Sequence, residues 1–265
     1  MLKLNGKPVK LDHFPDGTLL IKEEISGDRL IQKIKWKFES NEEMVALMFL
    51  VEHLREHGAE FVELEMPYIP NARQDRTKKN EDVFTLKYFA KFINALWFSS
   101  VTVLDPHSAV SEALIDRLTV CSPGKFIRKV LDKIGTDDLI MFFPDEGAMK
   151  RYASECTELP YAFGIKRRNW STGKIEGLDA AGCTELISGK RVLIIDDICS
   201  KGGTFYHSAK KLKELGAAEV YLYVSHCENT ILDGELLTCG MIEKVYTTDS
   251  LFTKEHPKVE VLYDE

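Results

Sequence analysis

Short apolar, β-rich runs alternate with amphipathic helical stretches along almost the whole of this chain, and that alternation leaves it few folds. Phe61 to Met66 alternates polar and apolar residues at period two, the mark of a half-buried strand. Before it, Met44, Leu47, Met48, Val51 and Leu54 recur at helical spacing behind Ser40-Asn41-Glu42-Glu43, which has the spacing of a capping box, and Gly58 offers a stop. After it, Leu86, Phe89, Ala90, Ile93 and Trp97 form a second helical stripe that reads as core, and Val101 to Leu104 a second strand. The order repeats beyond Ser122-Pro123-Gly124, with a helix to about Ile134, a strand from Leu139 to Phe143 and a helix from Gly147 to Glu158. Strands at Tyr161 to Ile165 and Arg191 to Ile195, a helix from Gly203 to Leu215 and a strand from Val220 to Val224 complete it. Strands separated by helices imply mostly parallel sheets with helices on both faces. A chain of 265 residues has room for two such α/β domains, 1–119 and 120–265, divided around Leu118 to Gly124.

Composition narrows the function classes. No apolar run approaches the roughly 18 residues of a membrane span, and the opening MLKLNGKPVKLDHF lacks the apolar core of a signal peptide. The net charge of -7 argues against nucleic acid as a partner. Six cysteines are scattered without a CxxC or a zinc-like spacing, which fits reduced thiols in a cytoplasmic protein.

In open parallel sheets, ligands gather beyond the carboxyl ends of the strands. The chemically suggestive residues fall there five times: Arg73-Gln74-Asp75-Arg76, Asp105-Pro106-His107-Ser108, Pro144-Asp145-Glu146-Gly147, Lys166-Arg167-Arg168, and Asp196-Asp197 with the turn behind it. In that last stretch, VLIIDDICSKGGT, the turn Ser200-Lys201-Gly202-Gly203-Thr204 leads straight into a helix. Glycines let backbone N–H groups converge on an anion, the helix N-terminus adds partial positive charge, and Thr204 adds a hydroxyl. The pattern is a phosphate cradle without the Walker A spacing. Two acids beside a bound phosphate must face something neutral or cationic, such as the vicinal hydroxyls of a ribose or a magnesium ion.

These residues resemble the phosphoribosyl pyrophosphate signature of the phosphoribosyltransferase fold. Four further stretches, PYIPNARQDRTKK, VTVLDPHS, FFPDEGAMKR and GIKRR, are similar in consistent order to motifs of the ribose-phosphate pyrophosphokinase family, and FPDGT resembles that family's loop to a neighbouring subunit's adenine. The resemblance implies two phosphoribosyltransferase-like α/β domains, each a mostly parallel sheet flanked by helices, in a homodimer or higher homo-oligomer. It implies ATP and a ribose 5-phosphate-type acceptor as substrates. ATP would meet Arg73, Gln74 and Asp75, with Phe14 and Asp16 from another subunit. His107 and Asp145 would position Mg2+. Lys166, Arg168 and His107 would act in catalysis, with Lys166 and Arg168 stabilising the diphosphoryl group in transfer. Asp196 and Asp197 would hold the ribose hydroxyls, and Ser200, Lys201, Gly202, Gly203 and Thr204 the 5-phosphate.

The sequence departs from the family at three points. Thirteen residues precede Phe14 where the family has a longer leader, Thr18 stands where the family commonly has Glu, and Ser200-Lys201 replaces the usual Asp-Thr. The last change raises the local charge by about two units, at about 1–4 kcal/mol per close charge pair. It brings in a larger ribose such as ADP-ribose, in NAD metabolism, as an alternative acceptor. A catalytically silent nucleotide-binding paralogue is another alternative, opposed by the presence of His107, Lys166, Arg168, Asp196 and Asp197. A phosphoribosyltransferase would not need Arg73-Gln74-Asp75.

Overall fold

A computed structural model describes residues 1–25, 30–156, 158–168 and 175–264. It divides into two compact units, Met1–Ser122 and Pro123–Glu265.

Among the described residues, the first unit runs β1 (Leu2–Leu4), β2 (Lys7–Pro8), β3 (Leu11–His13), β4 (Leu19–Ile21), β5 (Ile31–Trp36), α1 (Glu42–Glu56), β6 (Phe61–Glu65), α2 (Thr85–Ala95), β7 (Ser100–Leu104), α3 (Val110–Leu114) and β8 (Leu118–Cys121). Its sheet has the order β2-β1-β5-β6-β7-β8, with β5 to β8 parallel and β1 antiparallel to β5. β3 and β4 form a separate hairpin. Because β5, β6, β7 and β8 follow one another in a single direction, right-handed crossovers place α1 and α2 on the same face. That face is one core, in which Ile34, Trp36, Val62, Leu64, Val101 and Val103 pack with Leu47, Leu50, Leu86 and Phe89. The opposite face carries Lys33, Lys35, Glu63, Glu65, Ser100 and Thr102, none of them buried, and pairs Lys33 with Glu63 (3.4 Å) and Lys35 with Glu65 (2.5 Å). Helices therefore cover one face of this sheet, where the alternation alone led us to expect both.

α1 starts with half of a capping box. The buried Glu43 carboxylate accepts from the backbone N–H of Glu39 (2.8 Å) and Ser40 (3.4 Å) and from Trp36 Nε1 (2.9 Å), but the N-cap Asn41 makes no side-chain cap bond. Trp97 corrects a sequence expectation. α2 ends at Ala95, Trp97 takes a left-handed φ of 51°, and its ring lies 70% exposed against Arg117, while Phe98 is buried. Once the helix stops, the i+4 position no longer faces the core.

The second unit runs α4 (Gly124–Ile134), β9 (Leu139–Phe143), α5 (Glu146–Tyr152), β10 (Tyr161–Arg168), β11 (Ile175–Gly182), β12 (Arg191–Cys199), α6 (Gly203–Glu214), β13 (Glu219–Cys227), β14 (Lys244–Thr248) and β15 (Val259–Leu262). The sheet order is β11-β10-β9-β12-β13-β14-β15, parallel except for the edge pair β10–β11. From β9 the chain steps outward to β10, whereas from β12 it steps the other way to β13. The crossover rule then sends α5 and α6 to opposite faces, and β9 is buried along its whole length. The reversal between β9 and β12 is a topological switch point, where the loops part and leave a crevice.

Three sequence expectations change here. Lys166, Arg167 and Arg168 continue β10 and pair with β11 instead of forming a loop. β12 extends through the acid pair to Cys199. α5 is a short helix continued by a 3-10 turn, Ala153–Cys156, in place of one helix to Glu158. In the first unit, Leu118 to Cys121 is the sheet's strand β8 and not a connection.

Candidate active site

Many of the sequence-selected residues fall into two groups, one in each unit. In the first unit, the loop after β6 and the loop after β7 meet. Arg73, Gln74, Asp75, Arg76, Lys78 and His107 line a cavity of about 350 Å³. Asp75 organises the meeting point: Arg76 donates to it through Nε (2.8 Å) and Nη2 (3.1 Å), and Ser108 Oγ from the other loop donates at 2.8 Å. The Arg76 guanidinium and then Ser108 hold the Asp75 carboxyl down at about 2 against the cost of burial. Asp75 is thus engaged with protein partners, leaving Arg73 and Lys78 as further cations on the cavity wall. The turn that delivers His107 is strained: Asp105 is buried with a φ of 40°, unusual for a residue other than glycine.

Phe14 and Asp16 do not line that cavity. They form the turn between β3 and β4, where Asp16 Oδ1 accepts from the Thr18 N–H (3.0 Å) and hydroxyl (2.7 Å), lowering its pKa. Phe14 is half exposed at the turn and lines a different cavity of about 650 Å³ with Phe49 and His53 of α1.

In the second unit, the switch point holds the acids. β9 and β12 are neighbours in register, so Asp145 just beyond β9 and Asp196 near the end of β12 approach one another. Burial, and then the charges of Asp197 and Asp145, push the Asp196 carboxyl well above the usual range. Asp197 is 5% exposed and meets Arg151 of α5, whose Nη1 donates to Oδ2 at 3.1 Å. Asp145 caps α5 by accepting from the Ala148 N–H at 3.0 Å. Sequence reasoning assigned no role to Arg151, although FFPDEGAMKR contains it. Its signal was a cation nearly two helical turns beyond a capping acid, but its partner lies far along the chain.

Behind the acids, β12 passes into the glycine turn. Gly202, at φ 81°, is the N-cap of α6, and a side chain there would collide with Leu236, whose Cδ2 lies 2.8 Å from the place of a β-carbon. Only glycine suits both demands. The first N–H to bond back into α6 is that of Tyr206, to the Gly202 carbonyl at 2.8 Å. The N–H groups of Gly203, Thr204 and Phe205 precede it, at the helix end where anions bind. Lys201 is exposed, Ser200 and Thr204 half-buried. Cys199 is fully buried; its hydrogen bond with Cys227, and then burial, push its thiol pKa well up, the opposite of an activated nucleophile. Lys166 and Arg168 are placed by their backbone in β10; their side chains lie outside what is described.

Among the described residues, no group of three or more His, Cys, Asp or Glu side chains is arranged to hold a metal. His107 and Asp145, which the resemblance assigns to Mg2+, belong to different units.

A mostly parallel sheet with an acid pair and a glycine turn leading into a helix at its switch point defines a protein of the phosphoribosyltransferase fold. Residues 1–96 match the N-terminal domain of ribose phosphate pyrophosphokinase, and residues 149–233 the phosphoribosyl transferase domain. The chain is 28% identical over 252 residues to ribose-phosphate pyrophosphokinase 1 of Streptococcus agalactiae, covering 91% of this chain and 77% of that protein. It is 29% identical over 223 residues to the ribose-phosphate pyrophosphokinase of Thermococcus kodakarensis, covering 82% and 77%. The fold is that of phosphoribosylpyrophosphate synthetase from Mycobacterium smegmatis, with a TM-score of 0.78, 19% identity, and 97% and 86% of the two chains covered. The chain belongs to the ribose-phosphate pyrophosphokinase family.

Proposed function

We propose that this chain is a ribose-phosphate pyrophosphokinase: it transfers the β,γ-diphosphoryl group of ATP to the 1-hydroxyl of ribose 5-phosphate, giving phosphoribosyl pyrophosphate and AMP. The observation that carries this reading is the match to proteins of that name across 91% of the chain, spanning the loops of both units.

ATP belongs with the first unit. Its cavity offers Arg73, Gln74, Lys78 and His107 to a polyphosphate, and Asp75 holds the two loops together. Phe14 and Asp16 on the hairpin turn would reach the adenine of a neighbouring copy, which makes the working unit a homodimer or a higher homo-oligomer. Ribose 5-phosphate belongs with the second unit. The N–H groups that open α6 take the 5-phosphate, aided by the Ser200 and Thr204 hydroxyls. Asp196 and Asp197 accept from the ribose 2- and 3-hydroxyls, so a neutral diol sits where a second anion would be repelled.

In the reaction the ribose O1 attacks the β-phosphorus, the bond from that phosphorus to the α,β-bridging oxygen breaks, the O1 proton is released, and AMP departs. Such transfer depends on positioning and on stabilising charge. Lys166 and Arg168 are assigned that stabilisation, and His107 a place beside the triphosphate. The residues present suit a magnesium ion, because Mg2+ is bound through one or two carboxylates plus substrate phosphates and needs no all-protein cage. Asp145 is the carboxylate proposed for it in the second unit, and in the first unit His107 is the residue proposed to meet the ion or the triphosphate. Bound there, the ion would neutralise charge on the polyphosphate. We place the enzyme in the cytoplasm; no helix among the described residues is long and apolar enough to cross a membrane.

The test is incubation with ATP, Mg2+ and ribose 5-phosphate. AMP should appear in step with phosphoribosyl pyrophosphate, and release of ADP instead refutes diphosphoryl transfer.

A further inference from the structure

The turn that ends β12 is packed closely against a later segment, Glu228 to Leu236. The Glu228 N–H donates to the Cys199 carbonyl at 2.8 Å, where Cys199 and Cys227 close the ladder between β12 and β13. The chain then passes through a 3-10 turn, Asn229–Asp233, and returns under Lys201 and Gly202. At Gly234 it runs so close that a β-carbon would overlap the Lys201 carbonyl oxygen and lie 2.9 Å from its carbonyl carbon. Two residues on, the fully buried Leu236 fills the space beside Gly202, its Cβ 2.9 Å from where a β-carbon would stand.

The brace is itself anchored. Asn229 donates to Thr253 Oγ1 (2.9 Å) and accepts from the Thr253 N–H (3.0 Å), clasping the segment to the chain beyond β14. Ile231 is fully buried in the same core as Leu236, and Cys239 donates to the Leu236 carbonyl at 3.1 Å. The underside of the anion-binding turn is thus packed against a fixed surface. That close packing leaves the backbone of Lys201 and Gly202 little room to move toward Gly234 and Leu236.

We infer that Gly234 and Leu236 are positioning residues for the ribose 5-phosphate: they touch no substrate, and they set the height and tilt of the turn that does. The inference rests on reading that turn as the 5-phosphate site. Gly234→Ala forces the Lys201 backbone and the segment that carries residue 234 apart, and a displacement of about 1 Å in a substrate-positioning group can cost on the order of 10²-fold. Leu236→Ala adds nothing and removes the support under Gly202, so the turn loosens instead of being pushed aside.

The test measures steady-state KM for ribose 5-phosphate and for ATP in wild type, Gly234→Ala and Leu236→Ala, with melting temperatures alongside. The expected result is a rise of about 10²-fold in KM for ribose 5-phosphate in Gly234→Ala and about 10-fold in Leu236→Ala, with KM for ATP within about two-fold. That split separates a positioned turn from general damage, which would impair both substrates. A KM for ribose 5-phosphate within about two-fold of wild type in the folded variants overturns the inference. Should Gly234→Ala fail to fold, Leu236→Ala decides alone. The same three proteins are titrated with inorganic phosphate by phosphorus NMR. If wild type turns over no ribose 5-phosphate, the functional reading falls, and phosphate affinity then judges the brace: weaker binding in the variants supports it, equal binding overturns it.

Discussion

Arg151 and Asp197 offer the sharpest quantitative check on the acid site. Asp197 is 7% exposed at its side chain and Arg151 33%, with Nη1 3.1 Å from Oδ2. With charge centres about 4 Å apart, an effective dielectric near 20 makes the attraction about 4 kcal/mol. One partner is a third exposed, and screening reduces this to about 2 kcal/mol. Replacing Arg151 with Met keeps much of the aliphatic packing and takes its guanidinium away from the Asp197 carboxylate, which stays buried beside Asp196. A loss of about 2–3 kcal/mol follows, nearer the lower end of the range for a broken buried pair. For a unit of this size that lowers the melting temperature by roughly 4–10 °C. The assay is a double-mutant cycle of Arg151→Met, Asp197→Asn and the pair, read from the second unit's calorimetric transition at pH 7. The coupling should be about 1.5–3 kcal/mol, since groups without direct interaction add to within about 0.5 kcal/mol. A coupling below that limit refutes the argument and returns Arg151 to the surface.

Lys166→Ala and Arg168→Ala should each lower turnover by roughly 10²–10³-fold while ATP affinity changes little, because charge stabilisation matters most as the diphosphoryl group moves; calorimetric ATP binding with single-turnover rates will show it, and lost affinity at intact turnover contradicts the assignment. Lys201 is exposed beside a turn whose backbone supplies the donors, so Lys201→Thr should leave kcat/KM for ribose 5-phosphate within about two-fold. A selective loss with ADP-ribose as acceptor would instead revive the larger-ribose reading. Asp75 has a folded pKa of about 2, lowered from 3.8, so its contribution is complete above the unfolded pKa and is lost as pH falls from about 4 toward 2. Unfolding of wild type and Asp75→Asn between pH 5 and 2 should show a steeper loss of stability in wild type, and parallel curves count against it. Asp196 has the opposite sign: its raised folded pKa makes it increasingly destabilising as pH rises above the unfolded value toward the folded one. Asp196→Asn should therefore raise the melting temperature at pH 8 while abolishing ribose 5-phosphate turnover, and a lower melting temperature would show that the carboxylate is not under strain.

Features written into a contiguous run of residues could be read before any coordinates. The apolar run LIMFF is strand β9 as expected, and SKGGT does precede a helix, because strand burial and the φ demands of a turn act within a few residues. Three of the five motifs, at Arg73, His107 and Asp145, do lie in loops beyond strands, whereas Lys166 to Arg168 and Asp196-Asp197 fall inside β10 and β12, because strand length is set by pairing with a neighbour. Polar strands were not: Leu118 to Cys121 and Ile175 to Gly182 lack a strong alternating pattern, and each is a strand through pairing with a neighbour. Trp97 misled because periodicity continues on paper beyond the point where the helix stops.

What the sequence by itself determined was the strongly patterned strands and helices, and which stretches carry charge, hydroxyls and glycine. Tertiary structure alone decided how these are arranged. The consecutive order β5 to β8 puts helices on one face of the first sheet, while the reversal between β9 and β12 opens the crevice in the second. The same long-range pairing gives Asp197 its Arg151, Asp75 its Ser108 and the glycine turn its Gly234. A side-chain period records only which face of its own element meets the core. Strand order and register depend on contacts between segments distant in the chain, and those are settled by which packing buries both partners.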